Sequence, residues 1–378
     1  MIRPILGLVA CAVMAAPALA QDPLPSETFG VKEAIDPGPN VIVYQESLSG
    51  PGSLVVLGAD DLAMKGTMPS GSFGTMLVDP AGKVAYSLST FLKRYAYGPM
   101  ETVLQIYDVA TLTVKSEVVL PPKGVMALSY AALLQQSADG KFVFAQNATP
   151  ASSITVVDVA AGAVAQEIPT PGCWGIYPTA TGSGFTTICG DGSLMTYALS
   201  ADGKTATETT GTDIFDPDED PVFATTARSE AGIVMVTFKG DVVIASDADG
   251  TPKKVDRFSM TAGVEGGWVP GGYNLVTYSS GLKRLFVLMH SGGYDGSHKN
   301  PSEEVWTVDL EKKAVVGRTP LAGALSITAA PGDKPVLYTL MADIKLIRHE
   351  VDVAGGYATK VAGELPLVDL PFLATATP

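Results

Sequence analysis

The sequence predicts an all-β fold, a seven-bladed β-propeller with four-stranded antiparallel blades around a central channel. Three observations carry this. One phrase recurs seven times at intervals of roughly 40–60 residues, the span of about four short strands. Within each copy apolar and polar residues alternate, as in a strand with two different faces. The chain has 40 glycines and 27 prolines in 378 residues and shows no long helical pattern.

Taken in chain order, residues 1–20 (MIRPILGLVACAVMAAPALA) have a basic start, an apolar stretch and a small-residue ending. This predicts a signal peptide cut after Ala20, hence export to the periplasm. A membrane anchor is the weaker reading, because Pro4 and Pro17 interrupt a stretch shorter than the ~18 apolar residues a span needs. Cys11 loosely resembles a lipoprotein processing site but lies early, ahead of a good conventional site. Residues 21–40 are proline-rich and expected to be extended, with Phe29-Gly-Val-Lys placed to complete the last blade. Residues 41–378 are the predicted propeller domain.

The seven copies begin at Leu54-Val-Val-Leu-Gly-Ala-Asp-Asp and Val103-Leu-Gln-Ile-Tyr-Asp-Val. They continue at Ile154-Thr-Val-Val-Asp-Val, Leu194-Met-Thr-Tyr-Ala-Leu-Ser-Ala-Asp-Gly, Val242-Val-Ile-Ala-Ser-Asp-Ala-Asp-Gly, Val305-Trp-Thr-Val-Asp-Leu and Ile347-Arg-His-Glu-Val-Asp-Val. In each, Asp, Gly or both supply a tight turn. A second phrase enters a preceding strand at Asp79-Pro-Ala-Gly-Lys, Ala138-Asp-Gly-Lys and Gly281-Leu-Lys-Arg. Two β-sandwich domains are disfavoured, since no linker-like composition divides the chain. In the fourth unit Cys173 and Cys189 flank a turn at Gly182-Ser183-Gly184, so a hairpin brings them nearly opposite and allows a disulfide. Closing such a loop of about 15 residues is worth ~3 kcal/mol. With no CxxC spacing it reads as a staple, not a redox site.

Composition excludes some functions. With 25 basic and 39 acidic residues the net charge is −14, and loss of Arg3 with the signal peptide takes it to −15. Nucleic acid and anionic membrane, which need clustered Lys and Arg, are therefore not expected partners. A cationic substrate or partner suits the charge. No catalytic constellation is evident. His290, His298 and His349 are isolated, without metal spacing; His290 follows a strand and is a candidate channel residue, although a satisfied structural histidine is the simpler reading. The run Asp213-Ile-Phe-Asp-Pro-Asp-Glu-Asp-Pro invites a Ca²⁺ reading, but its prolines and lack of an EF-hand glycine favour a solvated inter-blade loop. The glycine-rich stretch from Gly263 to Tyr273 has no strand-to-helix context for phosphate binding.

The stretch Cys173-Trp-Gly-Ile-Tyr-Pro-Thr-Ala through Phe185-Thr-Thr-Ile-Cys-Gly-Asp-Gly-Ser-Leu resembles the heavy (large) subunit of the tryptophan tryptophylquinone amine dehydrogenases, methylamine and aromatic amine dehydrogenase. Ser89-Thr-Phe-Leu-Lys-Arg-Tyr-Ala-Tyr-Gly, Val103 to Leu112, Gly267-Trp-Val-Pro-Gly-Gly-Tyr, His298-Lys-Asn and Asp333-Lys-Pro-Val-Leu-Tyr-Thr-Leu are similar to that family in the same order. The resemblance implies a seven-bladed large subunit without catalytic residues in a periplasmic α2β2 heterotetramer. The quinone cofactor and catalytic aspartate would belong to a small, disulfide-rich partner. That complex oxidises primary amines to aldehyde and ammonia and passes electrons to a small copper protein.

By the same resemblance, Phe73 in Ser70-Gly-Ser-Phe-Gly is the substrate-channel phenylalanine, with a blade-core aromatic as the equal alternative. Arg94 is kept, whereas Tyr97 and Met100 stand where the family tends to have arginine and Thr102 where it tends to have an acid. Arg94, Tyr97 and Met100 are the expected partner contacts, on an interface rebuilt by these changes. Two other readings stay open: a stand-alone exported binding propeller, and a lactonase-type hydrolase needing clustered ligands at the channel.

Overall fold

A computed structural model describes residues 30–47, 50–94, 97–126 and 129–378. The predicted signal peptide and Phe29 lie outside these residues. Contacts divide the chain into Met1–Glu33 and Ala34–Pro378. Of the first unit only residues 30–33 are described, and they contain no strand.

Residues 34–378 form seven antiparallel sheets around an axis, the predicted propeller. Blade 1 runs outward from Leu370–Ala376 through Asn40–Glu46 and Ser53–Gly58 to Met64–Pro69. Blade 2 is Ser72–Val78, Val84–Leu92, Met100–Asp108 and Thr113–Leu120. Blades 3, 4, 5 and 7 span 134–169, 173–211, 227–259 and 324–366, each with four strands in sequence order. In blade 6, spanning 269–320, Val269–Pro270 and Val276–Ser279 share the inner position.

The ring closes differently from expectation. Gly30–Lys32 form no strand, and the C-terminal Leu370–Ala376 supplies the inner strand of blade 1. Thr377 fastens it: its N–H donates to Asn40 O at 2.8 Å, and Asn40 N–H donates to its Oγ1 at 2.9 Å. An apolar strand pairing along its length outcompetes a short Gly-containing segment because only the former satisfies a full row of backbone groups.

All seven recurring phrases fall on the third strand of their blades. The reason for the repeated aspartate is visible at its end. In every blade an Asp Oδ1 accepts a backbone N–H two or three residues on, closing the turn to the outer strand. The pairs are Asp61–Ala63, Asp108–Thr111, Asp158–Ala161, Asp202–Lys204, Asp249–Thr251, Asp309–Glu311 and Asp352–Gly355. These are Asx turns. Much of the acidity is thus architectural.

Strand alternation gives the two faces of the ring different characters. One carries these short Asp turns and the tight turns between inner and second strands. The other carries the connections between blades and between second and third strands, which are long at residues 92–100, 120–134, 211–227, 259–269 and 290–304. Long connections over a rigid scaffold are where function usually sits. Cys173 and Cys189 face this side, directly paired across the inner and second strands of blade 4 and joined as a disulfide, with Cα atoms 3.9 Å apart. No helix among the described residues is long and apolar enough to cross a membrane.

Candidate functional site

The site begins with an alternation. In Val41-Ile-Val-Tyr-Gln-Glu, residues 42, 44 and 46 share one face of the strand. Ile42 and Tyr44 pack with Met76 and Val78 between blades 1 and 2, which puts Glu46 at the top of that seam, on the long-connection face. Across the seam, the inner strand of blade 2 slips register between Ser72 and Thr75, leaving Phe73 and Gly74 as a bulge.

Phe73 has φ +50°, and it is the one non-glycine residue among the described strands with positive φ; the others lie in turns and connections. Such a conformation costs a residue with a Cβ about 1–2 kcal/mol. Glu46, buried itself, offsets this. Its Oε1 accepts Phe73 N–H at 3.1 Å and its Oε2 accepts Gly74 N–H at 3.1 Å. Tyr44 Oη accepts the same Gly74 N–H at 2.8 Å and donates to Glu46. Burial, reinforced by the adjacent Glu46 carboxylate, pushes the Tyr44 phenol far up, so it remains a donor. Hydrogen bonds to a charged acceptor contribute about 1.5–3 kcal/mol each, enough to hold the bulge. Glycine is required at position 74, where a Cβ would stand 2.7 Å from Tyr44 Oη.

The ring of Phe73 therefore lies outside the blade core, 45% exposed, which sets aside the core-aromatic alternative. It borders a small cleft with Thr90, Thr102, Gly124, Val125 and Gln146. The connections at 92–100 and 120–134, on the same face of the ring, carry the exposed apolar side chains of Tyr97, Met100 and Met126. Arg94 N–H donates to Tyr97 O at 3.0 Å, and its guanidinium lies 5.5 Å from the Tyr97 ring centre, shaping a short hairpin tip. Thr102 differs from the expected loop position: it is buried in the third strand of blade 2, against Gly124. Of the residues named from sequence, Phe73 lies at the start of the inner strand of blade 2, while Arg94, Tyr97 and Met100 lie in and beside the 92–100 connection of the same blade. Sequence missed Tyr44 and Glu46, whose only signal was a polar residue ending an apolar strand on its core-facing register.

The remaining candidates scatter. His290 does not line the channel: it ends a second strand, buried, with Nδ1 2.9 Å from Ser291 O. His298 stacks on Phe238 at 4.9 Å, and burial lowers its pKa. His349 is buried against Thr339 Oγ1 at 2.8 Å, and burial holds its pKa down at about 4. The acidic run bridges blades 4 and 5. Its Asp216 caps a turn, while Asp220 is buried and paired with Arg257 at 2.8 Å, so that residue is a structural anchor and not solvated. No cluster of three potential metal ligands occurs among the described residues. The central cavity, about 300 Å³, is walled by groups such as Gln135, Thr225, Asn274, Ser326 and Thr375. Its one charged side chain, Arg228, is bound to Asp247 at 3.0 and 2.8 Å.

Residues 52–368 match the family model described as methylamine dehydrogenase heavy chain. The chain belongs to that family. Among its relatives, the methylamine dehydrogenase heavy chain of Methylophilus methylotrophus is 24% identical over 305 residues, covering 79% of this chain and 74% of the relative. That of Methylorubrum extorquens is 25% identical over 294 residues, covering 75% and 70%. Among solved structures, a candidate 6-phosphogluconolactonase from Bacteroides fragilis superimposes with TM-score 0.61 at 14% identity, over 91% of this chain and all of its own. At such identity the likeness shows the propeller fold alone. Membership in the heavy chain family makes the chain a subunit of an amine dehydrogenase, with a small subunit as its counterpart.

Proposed function

We propose that this chain is the non-catalytic large subunit of a periplasmic amine dehydrogenase, clamping a cofactor-bearing small subunit and forming part of its substrate channel. The observation that carries this reading is the Phe73 bulge. A strained, fixed, half-exposed aromatic stands on the long-connection face, which also carries the exposed Tyr97, Met100 and Met126. Strain held by buried partners marks functional sites, and exposed apolar side chains carried by one face suit an interface. Phe73 would border the path of a primary amine and sort amines by size through packing.

Tryptophan tryptophylquinone would come from the small subunit, where it would supply the oxidising group. Two of this chain's three tryptophans, Trp268 and Trp306, are otherwise engaged. Trp306 is fully buried with Nε1 donating to Glu304 at 2.7 Å, and Arg318 lies over both Trp268 and Trp306, 4.7 and 4.5 Å from their ring centres. What this chain contributes is binding and exclusion: it covers the cofactor's surroundings and narrows the approach. Electrons would leave one at a time to a small copper protein.

Co-expression with a candidate small subunit and its maturation factors tests the proposal. A co-eluting α2β2 complex that absorbs as a quinone and reduces a dye when given a primary amine is the expected outcome. A monomer that captures no such subunit would overturn it in favour of a stand-alone binding propeller.

A further inference from the structure

We propose that Glu46 is a positioning residue for Phe73 and, through it, sets the size selectivity of the channel; this rests on the reading of Phe73 given above. The geometry is specific. Glu46 belongs to blade 1 and Phe73 to blade 2, and the carboxylate spans the seam with both oxygens engaged on the bulge. Its described partners are two backbone N–H groups and one phenol, with no cation among them. A buried carboxylate spent in this way is expensive for stability alone. What it achieves is geometric: it locks two consecutive N–H groups in an orientation that the strand ladder would not impose. The Phe73 ring direction follows from that backbone, and Tyr44 buttresses the arrangement from below.

Position 46 needs two acceptors. Glutamine, nearly the same in shape, keeps one oxygen and turns an NH2 group toward an N–H donor, so one arm of the clamp becomes repulsive. The fold survives such a change better than the bulge does. Because Glu46 touches neither substrate nor cofactor, its effect must appear in which amines pass, not in the chemistry that follows.

The test compares wild type, Glu46→Gln and Tyr44→Phe in the assembled complex, using methylamine and phenylethylamine as probes. A second readout is 19F NMR of 4-fluorophenylalanine placed at position 73. In Glu46→Gln the ratio of kcat/KM between the two amines is expected to shift about tenfold through KM, with kcat held, as a change in pocket packing does. The 19F line is expected to broaden or split, and Tyr44→Phe to fall between. An unchanged ratio together with an unchanged line in a folded Glu46→Gln overturns the proposal; if that variant does not fold, Tyr44→Phe decides by the same two readouts. A wild-type complex that oxidises neither amine would instead refute the reading of Phe73 as a channel residue, while the 19F arm still reports on Glu46.

Discussion

Phe73 holds a backbone conformation that its own Cβ resists, so its side chain and its stability have opposed interests. Replacing it with glycine removes the steric conflict and an exposed ring at once. Phe73→Gly is therefore expected to be neutral or stabilising, within about 1 kcal/mol, as read by urea unfolding. In the assembled complex the same variant should accept bulkier amines. A large loss of stability would mean that the ring packs within the fold after all. Gly74→Ala should act oppositely, since its new Cβ would meet Tyr44 Oη at 2.7 Å and Leu88 O at 3.1 Å. Neither position could be weighed without the fold, because Glu46 lies far from Phe73 in the sequence and meets it only across two blades.

At the scale of hairpins, the Asp turns and one buried histidine set the response to acid. Burial of Asp139 opposes ionisation, but hydrogen bonds from the Ser183 and Ser137 hydroxyls and Lys141 N–H win, and its pKa falls from 3.8 to about 2. Its contribution is complete above pH ~4 and is lost as pH falls toward ~2. His349 works in a higher window. It stays neutral in the fold down to about pH 4, whereas the unfolded chain takes up a proton near 6.5, so stability also declines as pH falls from 6.5 to 4. Stability measured against pH should show both slopes; Asp139→Asn should flatten the lower one and His349→Gln the upper. The disulfide belongs to this scale too. Cys173→Ser with Cys189→Ser should cost about 2–4 kcal/mol in urea unfolding without altering selectivity at Phe73, which lies in another blade.

For the whole ring, closure is the weak point, because one blade is assembled from both chain ends. Removing residues 370–378 takes away the inner strand of blade 1 and leaves Asn40–Glu46 with an unpaired edge. That truncation should lower Tm sharply and promote aggregation, visible by circular dichroism and size-exclusion chromatography. Glu46 stands at the end of the strand so exposed, and the Phe73 clamp should fail along with closure. A truncated chain with native Tm would show that the other six blades hold the ring unaided.

Strand alternation, Asp turns and seven repeats are properties of neighbouring residues, so the sequence by itself determined the propeller, its blade count, the disulfide hairpin and the family. It also named Phe73, Arg94, Tyr97 and Met100, all carried by the one stretch that encodes blade 2. Only the tertiary structure decided which end closes the ring, because that is a competition between two distant segments for one row of hydrogen bonds. It alone moved His290 out of the channel and buried Thr102 and Asp220, since strand order and depth depend on packing between blades. The Glu46 clamp on Phe73 belongs to this second class: its strength comes from a carboxylate carried across a seam between separately encoded blades.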